Sequence, residues 1–179
     1  MITLPLETAR LRIRPFRPAD DAEALHELWG DPEAIRFVRP GAAATSVEET
    51  RERLEDVVRR SDGWGFWAVE ERSGARLIGA AGLFPLEWTG PEVELAYHVV
   101  PSVWGRGYAT EAAAGLLEAA WRETDLDHVV AVAFEENRAS TRVMEKLGMT
   151  YEGRVRYREH EVVRYSIARP GVGGASSDV

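Results

Sequence analysis

Between Val99 and Ala113 the chain reads Val-Val-Pro-Ser-Val-Trp-Gly-Arg-Gly-Tyr-Ala-Thr-Glu-Ala-Ala. An alternating segment ends there, two glycines follow, and apolar residues then recur at helical spacing. Glycines at 105 and 107 let backbone approach a ligand closely, and first-turn helix amides have no intrahelical acceptor, so they point outward at the positive end of the dipole. The chemistry expected is phosphate or pyrophosphate binding. Charge-assisted hydrogen bonds, roughly 1.5–3 kcal/mol each, outweigh a dipole term of about 0.3–1 kcal/mol. A lone Gly-x-Gly is also consistent with a tight turn and nothing more. Neither the Gly-x-Gly-x-x-Gly of a dinucleotide site nor the Gly-Lys-Ser/Thr of a Walker loop is present. Arg106 and Arg142 are the nearest basic residues, and Arg106 is the better placed to reach a phosphate.

Leading into this segment, Val93, Leu95, Tyr97 and Val99 alternate with Glu94, Ala96 and His98 as in a strand, and within and after it Ala109 to Trp121 form the clearest helix. Upstream, Arg10 to Arg14 alternate as a first strand ending at Pro15. Asp20 with Glu23 resembles a capping box opening a helix to Trp29, and Ser46 with Glu49 opens a second helix that stops at Ser61-Asp62-Gly63. Residues 66–70 and 77–84 read as a hairpin around Ser73-Gly74. Downstream come a buried strand over 129–134, a helix over 138–147 closed by Gly148, and a final hairpin over 150–157 and 162–168. The order β-α-α-β-β-β-α-β-α-β-β is a mixed α/β (α+β) domain over residues 1–169, with a pattern-free, glycine- and serine-rich tail over 170–179.

The bulk composition narrows the classes. The chain has 179 residues, no cysteine and a formal net charge of −8. Thiolate metal sites and a cysteine nucleophile are excluded, no metal is expected, and broad nucleic-acid binding is disfavoured. The N-terminus shows no basic start followed by a long apolar run, so a soluble, unprocessed, cytoplasmic protein with no membrane partner is expected.

At these residues the sequence resembles the Gcn5-related N-acetyltransferase (GNAT) superfamily. Gly107-Tyr108-Ala109 matches the second half of its coenzyme motif. Trp104-Gly105-Arg106-Gly107-Tyr108-Ala109-Thr110-Glu111-Ala112 looks like the branch of ribosomal-protein N-terminal acetyltransferases, as do Thr8 to Arg14, Glu94 to Tyr97 and Asn137 to Met149. The resemblance covers about residues 6 to 168. It implies a central mixed twisted sheet of about seven strands, splayed between the fourth and fifth, with about four flanking helices. It further implies acetyl-coenzyme A as co-substrate and an amine acceptor, either a protein N-terminus or a small molecule, with the chain a monomer or homodimer.

The same resemblance assigns roles. The backbone of 104–110 holds the pyrophosphate, a strand amide near Val99 polarises the thioester, and Asn137 both caps its helix and touches the pantetheine. Glu94 is the general base, with His98 second, each alternatively an ordinary strand residue. Many superfamily members carry a tyrosine acid seven residues after the asparagine; here that position is Met144. Ser140 then takes the role of acid. The departure leaves open a degenerate domain that binds acyl-coenzyme A as a sensor or scaffold. Trp29, Trp64, Trp67 and Trp88 fall in acceptor-side segments, with core packing expected for at least half of them.

Overall fold

Alternation and helical spacing become elements close to where the sequence places them. The computed structural model describes residues 1–171 except 39 and 62; the expected tail lies outside the described residues from 172 onward. The strands are β1 (Leu6–Glu7), β2 (Leu11–Arg14), β3 (Gly65–Glu71), β4 (Arg76–Pro85), β5 (Val93–Val99), β6 (His128–Ala133), β7 (Thr150–Tyr157) and β8 (His160–Ala168). The helices are α1 (Pro18–Trp29), α2 (Val47–Arg60), α3 (Tyr108–Glu123) and α4 (Arg138–Lys146). One eight-stranded sheet runs β1-β2-β3-β4-β5-β6-β8-β7. The strand beyond the expected seven is β1, whose two residues pair Leu6 with Ile13 and Glu7 with Arg12. Two residues are too few to show alternation.

Helix termini follow local chemistry. Ser46 caps α2 by accepting from Glu49 N at 3.1 Å, and the Glu49 carboxylate turns back to Thr45. The box expected at Asp20 does not form: α1 begins two residues earlier, because Pro18 suits the first helical position. Asp21 reaches back instead, accepting from Arg17 N at 2.7 Å. Gly148, at φ 79°, closes α4 in a left-handed turn, with Met149 N donating to Met144 O and Gly148 N to Glu145 O.

Every described strand pair is antiparallel except β5 with β6, which is parallel and joined by the α3 crossover. That pair has a single registered partnership, Glu94 with Val130. Beyond it the strands part. Along β5, His98 meets Trp29 of α1 while its neighbour Tyr97 meets Ser140 of α4, so α1 and α4 lie on opposite faces of the sheet. Leu11, Ile13, Leu25, Leu28, Ile78, Leu83, Leu95 and Leu116 fill the core between the layers.

Candidate active site

The turn that opens α3 is built for close approach. Gly105 and Gly107 have φ of 74° and 79°, a region that L side chains occupy only at a cost of roughly 1–2 kcal/mol. A Cβ at Gly105 meets nothing within 4 Å, and one at Gly107 meets only the Arg10 guanidinium at 3.7 Å. Both therefore face open space. The first ladder bond of α3 is Glu111 N to Gly107 O, 3.0 Å, which leaves the amides of Gly107, Tyr108, Ala109 and Thr110 outside the ladder. Trp104, 54% exposed, donates its indole N–H to Val99 O at 2.7 Å and so ties the turn to the end of β5.

Behind the turn stands a brace that sequence reasoning missed. Glu111 accepts from Thr8 Oγ1 (2.6 Å), Arg10 N (2.7 Å) and Arg10 Nε (2.6 Å), and Arg10 Nη1 donates to Arg106 O at 3.1 Å. Tyr108 donates to Glu71, and the Arg10 guanidinium lies 4.4 Å over its ring. Arg106 and Arg142 are both exposed.

Where β5 and β6 part, a cavity of about 570 Å³ opens between the sheet, the loop after α1, and the β7–β8 turn. Glu94 lies in its wall, only 5% exposed. Burial pushes its carboxyl up to about 7, against the downward pull of hydrogen bonds from Tyr157 and the Glu87 backbone and of the Arg158 charge. Tyr157 donates to Glu94 Oε2 at 3.0 Å. Such a carboxyl is poised to accept a proton near neutral pH.

Across the cavity, Asn137 caps α4 by accepting from Ser140 N at 3.2 Å. Ser140 Oγ donates to Tyr97 OH at 3.3 Å, and Tyr97 OH donates to Ser140 O at 3.0 Å. Burial pushes the Tyr97 hydroxyl well above the usual phenol range, so it stays protonated. Met144 is buried in the same wall. Met144 brings no hydroxyl to this wall, whereas Ser140 and Tyr97, hydrogen-bonded to each other, bring two. No site role for Tyr97 or Tyr157 is signalled in the sequence.

His98 accepts at Nε2 from Trp29 Nε1, 3.0 Å, which needs that nitrogen unprotonated, and it meets Phe66 edge to face at 4.9 Å. It stands in an aromatic wall. All four tryptophans pack in or against the core, and Trp29 and Trp88 also line the cavity. Glu94, Asn137 and Ser140 come together around one space, with Val99, Trp104 and the helix amides at the mouth of the splay.

The matching sequence family is described as an acetyltransferase (GNAT) domain, and it spans residues 10–150. The chain is 29% identical over 176 residues to the uncharacterised N-acetyltransferase YoaA of Bacillus subtilis, covering 92% of this chain and 97% of that protein. It superposes on a GNAT-family acetyltransferase from Bacillus anthracis with a TM-score of 0.79 and 27% identity, covering 92% of this chain and 98% of the other. RimL, a ribosomal L7/L12 α-N-protein acetyltransferase solved with coenzyme A, shares the fold at a TM-score of 0.74 and 19% identity, with 90% and 95% covered. The free helix amides, the open glycine turn and the splayed strands suit the coenzyme such proteins use. The chain belongs to the GNAT acetyltransferase family and is an acyl-coenzyme A-dependent N-acetyltransferase.

Proposed function

We propose that this protein moves an acetyl group from acetyl-coenzyme A to a primary amine by direct attack, with Glu94 as general base. The observation that carries the reading is a buried carboxyl, raised to about 7, in the wall of a cavity at the point where β5 and β6 part. The amides of Gly105 and of Gly107 to Thr110 take the pyrophosphate, with the Arg106 side chain alongside. Val99 offers its backbone to the thioester carbonyl, and Asn137 holds the pantetheine. The amine nitrogen bonds to the carbonyl carbon, the carbon–sulfur bond breaks, and the amine proton passes to Glu94. Ser140, hydrogen-bonded to Tyr97, donates a proton to the departing sulfur and is reprotonated from water, while Glu94 releases the amine proton to solvent, so the protons balance over the turnover. The acceptor is the α-amine of a protein N-terminus, as in the ribosomal branch whose motif it resembles, or a small amine.

The test is to incubate the protein with acetyl-coenzyme A and a mixture of peptides and small amines and to identify acetylated products by mass. A product acetylated on a primary amine is expected, with turnover reduced in Ser140→Ala. Stabilisation by the coenzyme with no acetylated product would overturn the reaction. Full turnover in Ser140→Ala would remove that residue's role.

A further inference from the structure

The acceptor end of the cavity has a chemical character of its own. Trp29, His98, Phe66, Phe84 and Trp88 form one continuous wall, with successive ring centroids 6.1, 4.9, 6.1 and 4.6 Å apart. All five line the cavity. Phe84 and Trp88 are stacked at an interplanar angle of 7°, so one face of each ring is already covered. Glu94 is the one carboxylate among the described lining residues, whereas Arg53 and Arg158 line the same space. Arg53 is paired with Glu49; no carboxylate among the described residues lies within ion-pair distance of Arg158. The Arg158 guanidinium sits 5.5 Å over the ring of Tyr157, whose hydroxyl holds Glu94.

We propose that the acceptor is an α-amine carried by a large apolar residue, free or at the head of a peptide, and that the cavity rejects amines bearing a second positive charge. The inference rests on the acetyltransferase reading above. An α-ammonium at Glu94 places its own carbonyl or carboxylate beside Arg158 and its side chain against the aromatic wall. A polyamine or aminoglycoside would bring further ammonium groups to a space with no second carboxylate among its described lining residues and with two arginines, where lost hydration is not replaced. The backbone at the rim agrees. Glu87 and Trp88 both have positive φ, 56° and 65°, and Glu87 Oε1 accepts from Arg158 N at 2.6 Å, so a strained turn holds the Trp88 ring over Phe84. Proton transfer points the same way: a base near 7 takes a proton from an α-ammonium of pKa about 8 against a roughly tenfold adverse equilibrium. For an alkylammonium near 10.4 the figure is roughly a thousandfold or more.

The experiment measures kcat/KM by thiol release for free phenylalanine, phenylalanine- and glycine-headed peptides, spermidine and an aminoglycoside. A phenylalanine acceptor is expected to exceed the glycine-headed peptide about tenfold and spermidine about a hundredfold, in line with the worth of one buried apolar side chain. Whichever of free amino acid and peptide carries the preference identifies the source. Trp88→Ala is expected to shrink the phenylalanine-to-glycine ratio about tenfold, and Arg158→Glu to raise the spermidine rate. Preference for spermidine or the aminoglycoside, or equal rates for phenylalanine- and glycine-headed peptides, overturns the inference while leaving acetyl transfer intact. Absence of thiol release with every one of these acceptors overturns the inference, and only the further absence of any acetylated product from the peptide and amine mixture overturns acetyl transfer as well.

Discussion

Glu94 titrates near neutral pH because burial penalises its charged form more than the Tyr157 hydrogen bond and the Arg158 charge favour it. A carboxyl with a raised folded pKa holds its proton longer in the native state than in the unfolded chain, so stability falls as pH rises from about 4.5 to about 7. At 1.36 kcal/mol for each pH unit of difference, the ionised residue lowers stability by about 3 kcal/mol above pH 7, as an order of magnitude. Glu94→Gln keeps an oxygen that accepts from Tyr157 and never ionises. It is expected to raise the melting temperature at pH 8 and leave it nearly unchanged at pH 4.5, while lowering kcat/KM by about 10²–10⁴. A variant equally stable at both pH values but still fully active would show that Glu94 is neither strained nor the base. The wild-type rate is expected to rise through about pH 7 as Glu94 deprotonates.

At the scale of elements, the start of α3 depends on backbone geometry more than on any side chain. Gly107→Ala puts a Cβ into open space near Arg10 but forces an L residue to φ 79°. The expected result is a loss of about 1–2 kcal/mol in stability and weaker coenzyme A binding, read by titration of the coenzyme against the variant. Unchanged affinity would mean that the turn does not shape the pyrophosphate site. This helix and its glycines were legible in the sequence because their signals are local: apolar spacing of three and four, and residues that tolerate positive φ. Glu94, Asn137 and Ser140 were named from the family resemblance, and the structure places them on β5 and at the start of α4 around one cavity. Tyr97 and Tyr157 were not legible, since their contacts span 43 and 63 residues and no local spacing encodes them. The same reason hid the reach of the buried Arg14 guanidinium to Glu70 of β3, 56 residues away, while it also holds Asp21 of α1. The Asp20 signal failed because Pro18 offered a better helix start two residues earlier.

Over the whole molecule, the end of the β5–β6 seam opposite the splay is closed by charge rather than by ladder bonds. Arg164 of β8 donates to both oxygens of Glu92 at 2.8 and 2.6 Å and to Glu152 at 2.6 Å, and His128 of β6 meets Glu92 at 3.2 Å. Arg164 holds the Glu92 carboxyl down at about 2. Asp127 first, and then Glu92, push the His128 pKa up. The His128 contribution is therefore fully present below its unfolded pKa of about 6.5 and is lost as pH rises through the folded value. Glu94 acts in the same direction. Carboxyls held low act oppositely: for Asp21 and Glu111, hydrogen bonds from Arg14 and from Thr8 and Arg10 outweigh burial, and their stabilisation fades as pH falls below about 4. The two trends leave a stability maximum at about pH 4.5–5, below the pH at which Glu94 becomes an effective base. Thermal melts across pH 4 to 9 are expected to show that maximum. Glu92→Gln, which removes the charge His128 faces across the seam, is expected to flatten the decline between pH 6 and 8. A maximum at pH 8, or an unaltered decline in Glu92→Gln, would remove the seam from the account and leave Glu94 to explain the pH dependence alone.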